Sequence, residues 1–362
     1  MTLRSGDDSQ TRRMSASSPL ATGRRIASIM WFPFLFAIAL PLIFQLAFHA
    51  PQPHQVAIAV VGNNRQVESV VRELHDVRSG GFEVDQARSQ AEAIAAVRDR
   101  QVAAAYVATS PPSPVLYVAR AASAVRASYL QGVFAQLAVE TRAPAPLLVD
   151  TVPLLSGDSG NGAFFFVFTM LLVALVTVLV LLQRASAWST GRRMLAVAVI
   201  GAVGATTAYF TVERLRVLPG KPVLLFYAFF VGQVFGQLLL GAAPLLKQYF
   251  LPFAMTFILI LSVPSAGGTV PPDLLPTGLR FLSNVLPLAQ GVKITRSVAF
   301  FDGADLLPPT AILVGWAVVA LTVLLVSSKR NKPSGDPRSS GVTAAEPFRV
   351  RSAEPHSDVS AA

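Results

Sequence analysis

The residue types that carry out chemistry in proteins are sparse in this chain, and their spacing builds no catalytic or metal site. The chain contains no cysteine, which excludes disulfides, zinc–thiolate sites and thiol catalysis. Its histidines never lie three or four residues apart, so no two of them share a helix face as paired metal ligands do. We therefore expect no metal and no other cofactor.

Two short sequences look like catalytic motifs but lack the residues that would complete them. Residues 156–160 read Ser-Gly-Asp-Ser-Gly, which resembles the nucleophile turn of trypsin-like proteases. That chemistry needs a histidine base, and the one candidate clearly inside the surrounding domain, His75, has no barrel-like run of strands around it. Gly220-Lys221 lacks the upstream glycine of a phosphate-binding loop and is followed by Pro222. The sequence therefore indicates a linker at 156–160, no Walker-type ATP site and no enzyme.

The composition points to a membrane. Of the 362 residues, 52% are hydrophobic and only 14% are charged, whereas soluble domains carry about 25% charged residues. The net charge is +10, but the basic residues lie at the chain ends and beside apolar runs. That distribution is typical of topology signals and argues against nucleic-acid binding.

Six apolar segments predict an α-helical polytopic membrane protein. They cover residues 26–48, 163–182, 194–212, 223–246, 249–263 and 310–327. The first exceeds a signal-peptide core of about 7–15 residues and is not followed by an A-x-A site, so we interpret 26–49 as an anchored first transmembrane helix. The other five belong to a membrane domain at 162–328.

Basic residues beside these segments predict the orientation. Three arginines place the 183–193 connection in the cytoplasm, and Lys329 and Arg330 place the C-terminus there. The polar tails, 1–25 and 329–362, are predicted to be disordered and cytoplasmic. The connection at 213–221 also carries three cations but falls outside in this scheme, so its side of the membrane stays open.

Residues 50–161, between the first and second helices, predict a small extracytoplasmic α/β domain. Apolar runs at 56–61, 102–107 and 115–118 are typical of buried strands, with a short strand at 82–84. Helical patterns alternate with them, at 66–77, 90–100 and 122–139. Alternation of strands and helices indicates an α/β arrangement.

Two groups of residues in the membrane domain have both a structural and a functional interpretation. The 183–193 loop offers a large aromatic ring and cations that either hold the topology or dock a partner protein; these are Arg184, Trp188, Arg192 and Arg193. Within the 223–246 segment, small and amide residues at helical spacing serve either packing inside one subunit or the lining of a dimer seam or translocation path; these are Gly232, Gln233, Gly236 and Gln237.

The stretch at 264–303 is neither a polar loop nor a span. Its first part is rich in proline and glycine, including Gly267 and Gly268, and two amphipathic pieces follow, separated by Pro287 and carrying Arg296. Irregular backbone at membrane depth requires cover from protein or a water-filled cavity. We interpret 264–303 as a re-entrant or interfacial element; an ordinary outer loop with two surface helices is the alternative.

The order of these motifs resembles the end of bacterial ABC type-2 permeases, and most closely the YhgE/Pip-like family. The resemblance rests on Pro264-Ser-Ala-Gly-Gly268, on Leu286-Pro287 and on Arg-Ser-Val-Ala-Phe-Phe-Asp-Gly at 296–303. In the outer domain it rests on the sequences VAIAVVGNN at 56–64, AEAIAAVRDRQVAAAYV at 91–107 and LYVA at 116–119. The long coiled-coil outer region of one branch of the family is missing here.

This resemblance implies a permease subunit in a bacterial plasma membrane, with both termini cytoplasmic. Such a subunit forms a homodimer or a heterodimer with a related permease, contacts membrane lipids and exports an amphipathic compound, lipid or polymer with energy from a separate ABC ATPase subunit. The 183–193 loop then corresponds to the coupling element. The alternative is a scaffold or receptor that does not transport, whose outer domain binds envelope components or phage.

Overall fold

A computed structural model describes residues 19–49, 51–109 and 113–330. Helix α1 (Pro19–Phe48) opens this part of the chain and contains Pro33 and Pro41. Residues 19–25, which the sequence assigned to a disordered tail, are therefore helical. The rest of both predicted tails, 1–18 and 331–362, lies outside the described residues.

The predicted α/β domain is present. Its elements follow the order β1 (Val56–Val61), α2 (Asn64–Val77), β2 (Phe82–Gln86), α3 (Gln90–Arg98), β3 (Ala104–Val107), β4 (Val115–Val118), α4 (Ala124–Glu140) and β5 (Leu147–Asp150). The strands form one sheet in the order β2-β1-β3-β4-β5, in which β3 and β4 are antiparallel and the other neighbours are parallel. Strand β5 was not predicted, because its four residues follow a proline-rich segment and show no alternating pattern.

The two faces of the sheet pack against different helices. On β1, Val56, Ile58 and Val60 join the core formed with α2 and α4, while Ala59 joins a smaller core with α3. This division follows from the alternation of side chains along a strand. Side chains of Asn63, Ser89 and Ser123 accept the first free backbone N–H groups of the three helices and fix where each begins.

Helices form the remainder of the described chain. They are α5 (Gly162–Arg184), α6 (Thr190–Arg214), α7 (Val223–Leu246), α8 (Phe250–Met255), α9 (Val263–Ser265), α10 (Thr277–Val285), α11 (Pro287–Phe300) and α12 (Leu307–Arg330). In the described part of the chain, five helical segments are long and apolar enough to cross a membrane: Met30–Phe48, Gly162–Arg184, Thr190–Arg214, Val223–Ser265 and Leu307–Arg330. The protein is therefore mostly helical, as expected of a helical membrane protein.

The segment Val223–Ser265 changes direction inside its 43 residues. Lys247 has φ 51° and ψ −118°, which no helix residue adopts, and it ends α7. A π-helical stretch, Thr256–Ser262, then joins α8 to α9. The chain returns towards the first turn of α5, since Gly268 lies against Phe164. The predicted segments 223–246 and 249–263 are thus two antiparallel arms.

The α/β domain rests directly on the helical bundle. Leu274 and Leu279, from the proline-rich stretch and α10, belong to the same core as β1 and α4. The 213–221 connection lies at the same end, because Gly157 N–H donates to the Arg216 carbonyl at 3.0 Å. Lys221 also pairs with Asp302 at 2.7 Å, just before α12. The connection whose side was left open thus packs beside the α/β domain.

Candidate functional site

Helices α10 and α11 form a hairpin inserted into the bundle. Pro287 occupies the first turn of α11, where its missing N–H costs no hydrogen bond, and Leu286 is extended between the two helices. At the tip, the indole N–H of Trp316 donates to the Val285 carbonyl at 2.8 Å. Trp316 lies about 14 Å along α12 from Leu307 at ~1.5 Å per residue. The hairpin therefore reaches well down the length of α12.

Helix α11 is buried along nearly its whole length. Leu288, Ala289 and Ile294 have no exposed surface and pack in the core shared by α5, α7 and α12. Close approach depends on Gly291, where an added Cβ would lie 2.7 Å from a Val167 methyl group. Helix α11 is thus covered by protein, whereas α10 buries only Leu279 and Ser283 and exposes Phe281.

Arg296 of α11 holds the proline-rich stretch in place. Its guanidinium, 6% exposed, donates to the carbonyls of Gly267 at 2.7 Å and Gly268 at 2.9 Å, and to the Gly160 carbonyl at 3.4 Å. Gly267 has φ +69°, a conformation in which side chains are strained. The structure thus brings together three of the four predicted residues of this element, while Pro287 lies at the other end of α11.

The 183–193 loop joins α5 to α6 at the end opposite the α/β domain. Arg193 donates through Nε to the Ala185 carbonyl at 3.2 Å and through Nη2 to the Ser186 carbonyl, and it therefore organises the loop itself. Arg184 and Arg192 are exposed, and Trp188 is 47% exposed. Three of the four predicted docking residues are thus exposed, and Arg193 is partly buried and bonded within the loop.

The small and amide residues of α7 pack against neighbouring helices of the same chain. An added Cβ at Gly236 would lie 2.4 Å from a Val197 methyl group. Gln233 donates to the Val197 carbonyl at 3.4 Å, and Gln237 donates to the Gln233 side-chain carbonyl at 3.2 Å. Gly232 approaches Met170 of α5. This geometry favours packing within one subunit, the first of the two interpretations.

The protease-like sequence at 156–160 serves as a helix cap. Asp158 accepts hydrogen bonds from the backbone N–H groups of Gly160 at 2.8 Å and Gly162 at 2.9 Å, where α5 begins. His75 lies on α2 and contacts Ser79. Within the described ranges, no group of three His, Asp or Glu side chains could hold a metal ion.

Residues that join the α/β domain to the hairpin were missed by sequence reasoning. Arg126 of α4 pairs with Asp273 at 3.1 Å, and Arg280 of α10 donates to the His54 carbonyl at 3.1 Å. Of these residues, only Asp273 could have been noticed in the sequence. A single carboxylate in an apolar, proline-rich stretch needs a cationic partner when it is buried. That partner lies 147 positions away in the chain, too far for any local pattern to reveal it.

The comparisons with known proteins assign no family. The chain matches no protein-family model, no curated protein and no solved structure.

Proposed function

We propose that this chain is the membrane-spanning permease subunit of an ABC-type exporter. It crosses a bacterial plasma membrane six times, with both termini in the cytoplasm, and pairs with a second copy or a related permease. A separate ATPase subunit supplies the energy, and the exported substrate is an amphipathic compound, lipid or polymer.

The observation that carries this proposal is the division of the molecule into two functional ends. At one end, the hairpin, whose helix α11 is buried, and the loop held by Arg296 pack under the α/β domain. At the other end, a short loop exposes Trp188. Helix α5 joins the two ends, because it ends at Arg184 in the 183–193 loop and also contacts α11. Movement imposed on the 183–193 loop can therefore reach the hairpin through packed helices.

The reversal at Lys247 supports the proposal of six crossings. If α7 crosses from the outer to the inner side, the arm from Phe250 to Ser265 returns, and α12 leaves its C-terminus inside. The arm from Phe250 is short for a span, at about 24 Å of helix at 1.5 Å per residue. Its short length is tolerable where the bundle covers it, and Ile258 and Ala254 are buried.

An open groove between α5 and α6 suits an amphipathic substrate. It has a volume of about 540 Å³ near the outer ends of these helices. Phe165 and Val173 give it apolar walls, Thr169 and Thr211 add hydroxyl groups, and Asp158 lies at its end. An apolar cavity with a few polar groups is the common form of a small-molecule site.

Co-purification of the ATPase tests the proposal. Removing the exposed indole with Trp188→Ala should cost about 2 kcal/mol, roughly a thirtyfold loss of affinity, if Trp188 is an interface anchor. Trp31→Ala, a similarly exposed Trp in α1, is the matched control and should retain the partner. The protein would be expressed in its native membrane and its partners identified by mass spectrometry.

Two results would count against the exporter. One is a Trp188→Ala variant that inserts normally and holds its ATPase as tightly as the parent. The other is the recovery of envelope components with no ATPase, which would favour the scaffold or receptor.

A further inference from the structure

A cavity lies where the α/β domain, the proline-rich stretch and the hairpin meet. Its volume is about 350 Å³, within the range of ligand sites. Arg100 and Arg126 reach it from the domain, and Lys293 and Arg296 reach it from α11. These four side chains face one lining carboxylate, Asp305. We call it the cationic cavity.

The charges in the cationic cavity are poorly compensated. Arg126 pairs with Asp273, but Lys293 donates to the neutral side chain of Asn284 at 3.0 Å, and Arg296 donates to backbone carbonyls. The Nη1 atom of Arg100 is buried and has no hydrogen-bond partner among the described residues. Counting Asp273, Asp305 and Asp158, whose charge also acts on Arg296, four cations face three carboxylates, which leaves a net charge of +1.

The backbone holds Arg100 in this unfavourable position. Arg100 follows α3 with φ 62°, a conformation that costs a non-glycine residue about 1 kcal/mol or more. Its guanidinium lies 5.4 Å from the centre of the Phe301 ring, which fixes the side chain over the end of the hairpin. Burial lowers the pKa of Arg100; the charge of Asp305 opposes this shift, and the charge of Arg126 adds to it. That φ belongs to the end of α3, where the N–H of Arg100 donates to the Val97 carbonyl at 3.2 Å and the N–H of Gln101 donates to the Ala96 carbonyl at 2.9 Å. The observation that points to a ligand is therefore the buried guanidinium nitrogen that lacks a partner at the cavity wall.

We propose that the cationic cavity binds a phosphate-bearing anion, with Arg100 and Lys293 as its principal contacts. A phosphate oxygen accepts several charge-assisted hydrogen bonds at once, and it supplies the negative charge that the lining lacks. Pro308, Pro309 and Ile312 give the cavity an apolar side at the start of α12. A phospholipid headgroup and free phosphate share the required chemistry. Binding of such an anion does not require that the protein transports a substrate.

The test uses the full-length protein, delipidated in an uncharged detergent. In one arm, sodium phosphate is titrated against sodium chloride at equal ionic strength. In the other, phosphatidylglycerol is added in mixed micelles, with diacylglycerol of the same chains as the control that lacks the phosphate. Binding is measured as retained lipid by native mass spectrometry and as the shift in unfolding temperature.

The variants separate the site from general charge effects. Arg100→Gln with Lys293→Gln should weaken binding about tenfold or more, because two charged hydrogen-bond donors are lost. Arg98→Gln with Arg120→Gln removes the same charge from exposed positions and should leave binding unchanged. Asp305→Asn should strengthen binding by removing the competing carboxylate. Asp305 has φ 57°, which asparagine also tolerates.

Binding of phosphate alone identifies a soluble anion, and binding of phosphatidylglycerol alone identifies a lipid headgroup; each supports the proposal. The proposal is overturned if the two double variants bind the ligand with equal affinity. It is also overturned if the parent prefers neither phosphate over chloride nor phosphatidylglycerol over diacylglycerol. If the Arg100→Gln, Lys293→Gln protein does not fold, the Asp305→Asn variant provides the test. An affinity of Asp305→Asn for the phosphate-bearing ligand that is no greater than that of the parent overturns the proposal.

Discussion

The guanidinium of Arg100 lies 5.4 Å from the centre of the Phe301 ring, and this contact joins the α/β domain to the end of the inserted hairpin. Phe301 also belongs to the core of α3 and β3. The α/β domain is therefore attached to the helical bundle by side-chain packing and not only by the chain segments that connect them. It shares side-chain packing with the element that reaches into the bundle, and a change in hairpin position must disturb the domain.

Arg296 is expected to stabilise the protein through the loop that it holds. Arg296→Leu removes the guanidinium that donates to the Gly267 and Gly268 carbonyls. These buried carbonyls then lose their hydrogen-bond partner. We expect a loss of about 2 kcal/mol or more in the free energy of unfolding, read as a lower unfolding temperature. Arg192→Gln, at an exposed position, is the control. An unchanged unfolding temperature for Arg296→Leu would contradict the assigned role.

Gly268 and Gly278 should respond in opposite directions to the same substitution. A Cβ at Gly268 would lie 2.5 Å from the Phe164 ring, so Gly268→Ala should destabilise by about 1–3 kcal/mol. Gly278 lies in α10 with no atom within 4 Å of an added Cβ, so Gly278→Ala should stabilise by about 0.5–1 kcal/mol. Thermal unfolding in detergent compares the two. Destabilisation of equal size at both positions would argue against this packing.

Single cysteines test the six-crossing arrangement, since the chain has none of its own. An impermeant thiol reagent should label Ser113→Cys and Arg214→Cys in intact cells. It should label Ser186→Cys and Lys329→Cys only after lysis. Protection of Arg214→Cys would place the 213–221 connection in the cytoplasm and contradict its position beside the α/β domain.

The pair formed by Lys221 and Asp302 predicts a response to acid. The hydrogen bond from Lys221, together with its charge, lowers the pKa of Asp302 below its ordinary value. A carboxylate with a lowered pKa stabilises the fold above its unfolded pKa, and this stabilisation is lost as the pH falls through the folded pKa. The loss should therefore occur below about pH 4. It should be small, because Asp302 is exposed, and smaller in high salt.

Asp302→Asn is the matched variant for this measurement. The difference in unfolding temperature between parent and variant should be present at neutral pH and should shrink in acid. A difference that stays constant from neutral pH down to pH values well below about 4 would show that Asp302 acts through packing and not through its charge.

By itself, the sequence determined the apolar helices and the presence of an α/β domain. Both are local patterns: long uncharged runs demand burial in lipid or protein, and short apolar runs between helical patterns indicate strands. The irregular backbone at 264–276 was also predictable, because its prolines and glycines break regular structure. The start of α1 and strand β5 were missed. Strand β5 forms by pairing with β4, about 30 residues earlier in the chain, which no local pattern reveals.

Only the tertiary structure decided how these parts meet. Three contacts join residues that are far apart in the chain. They are the hydrogen bonds that Arg296 donates, the ion pair of Arg126 with Asp273, and the contact of Arg100 with the Phe301 ring. The same holds for the two interpretations of α7, where the contact of Gly236 with Val197 favoured packing within one subunit. Such contacts depend on how the helices pack against one another. The spacing of residues within a single segment does not determine which distant segment it will contact.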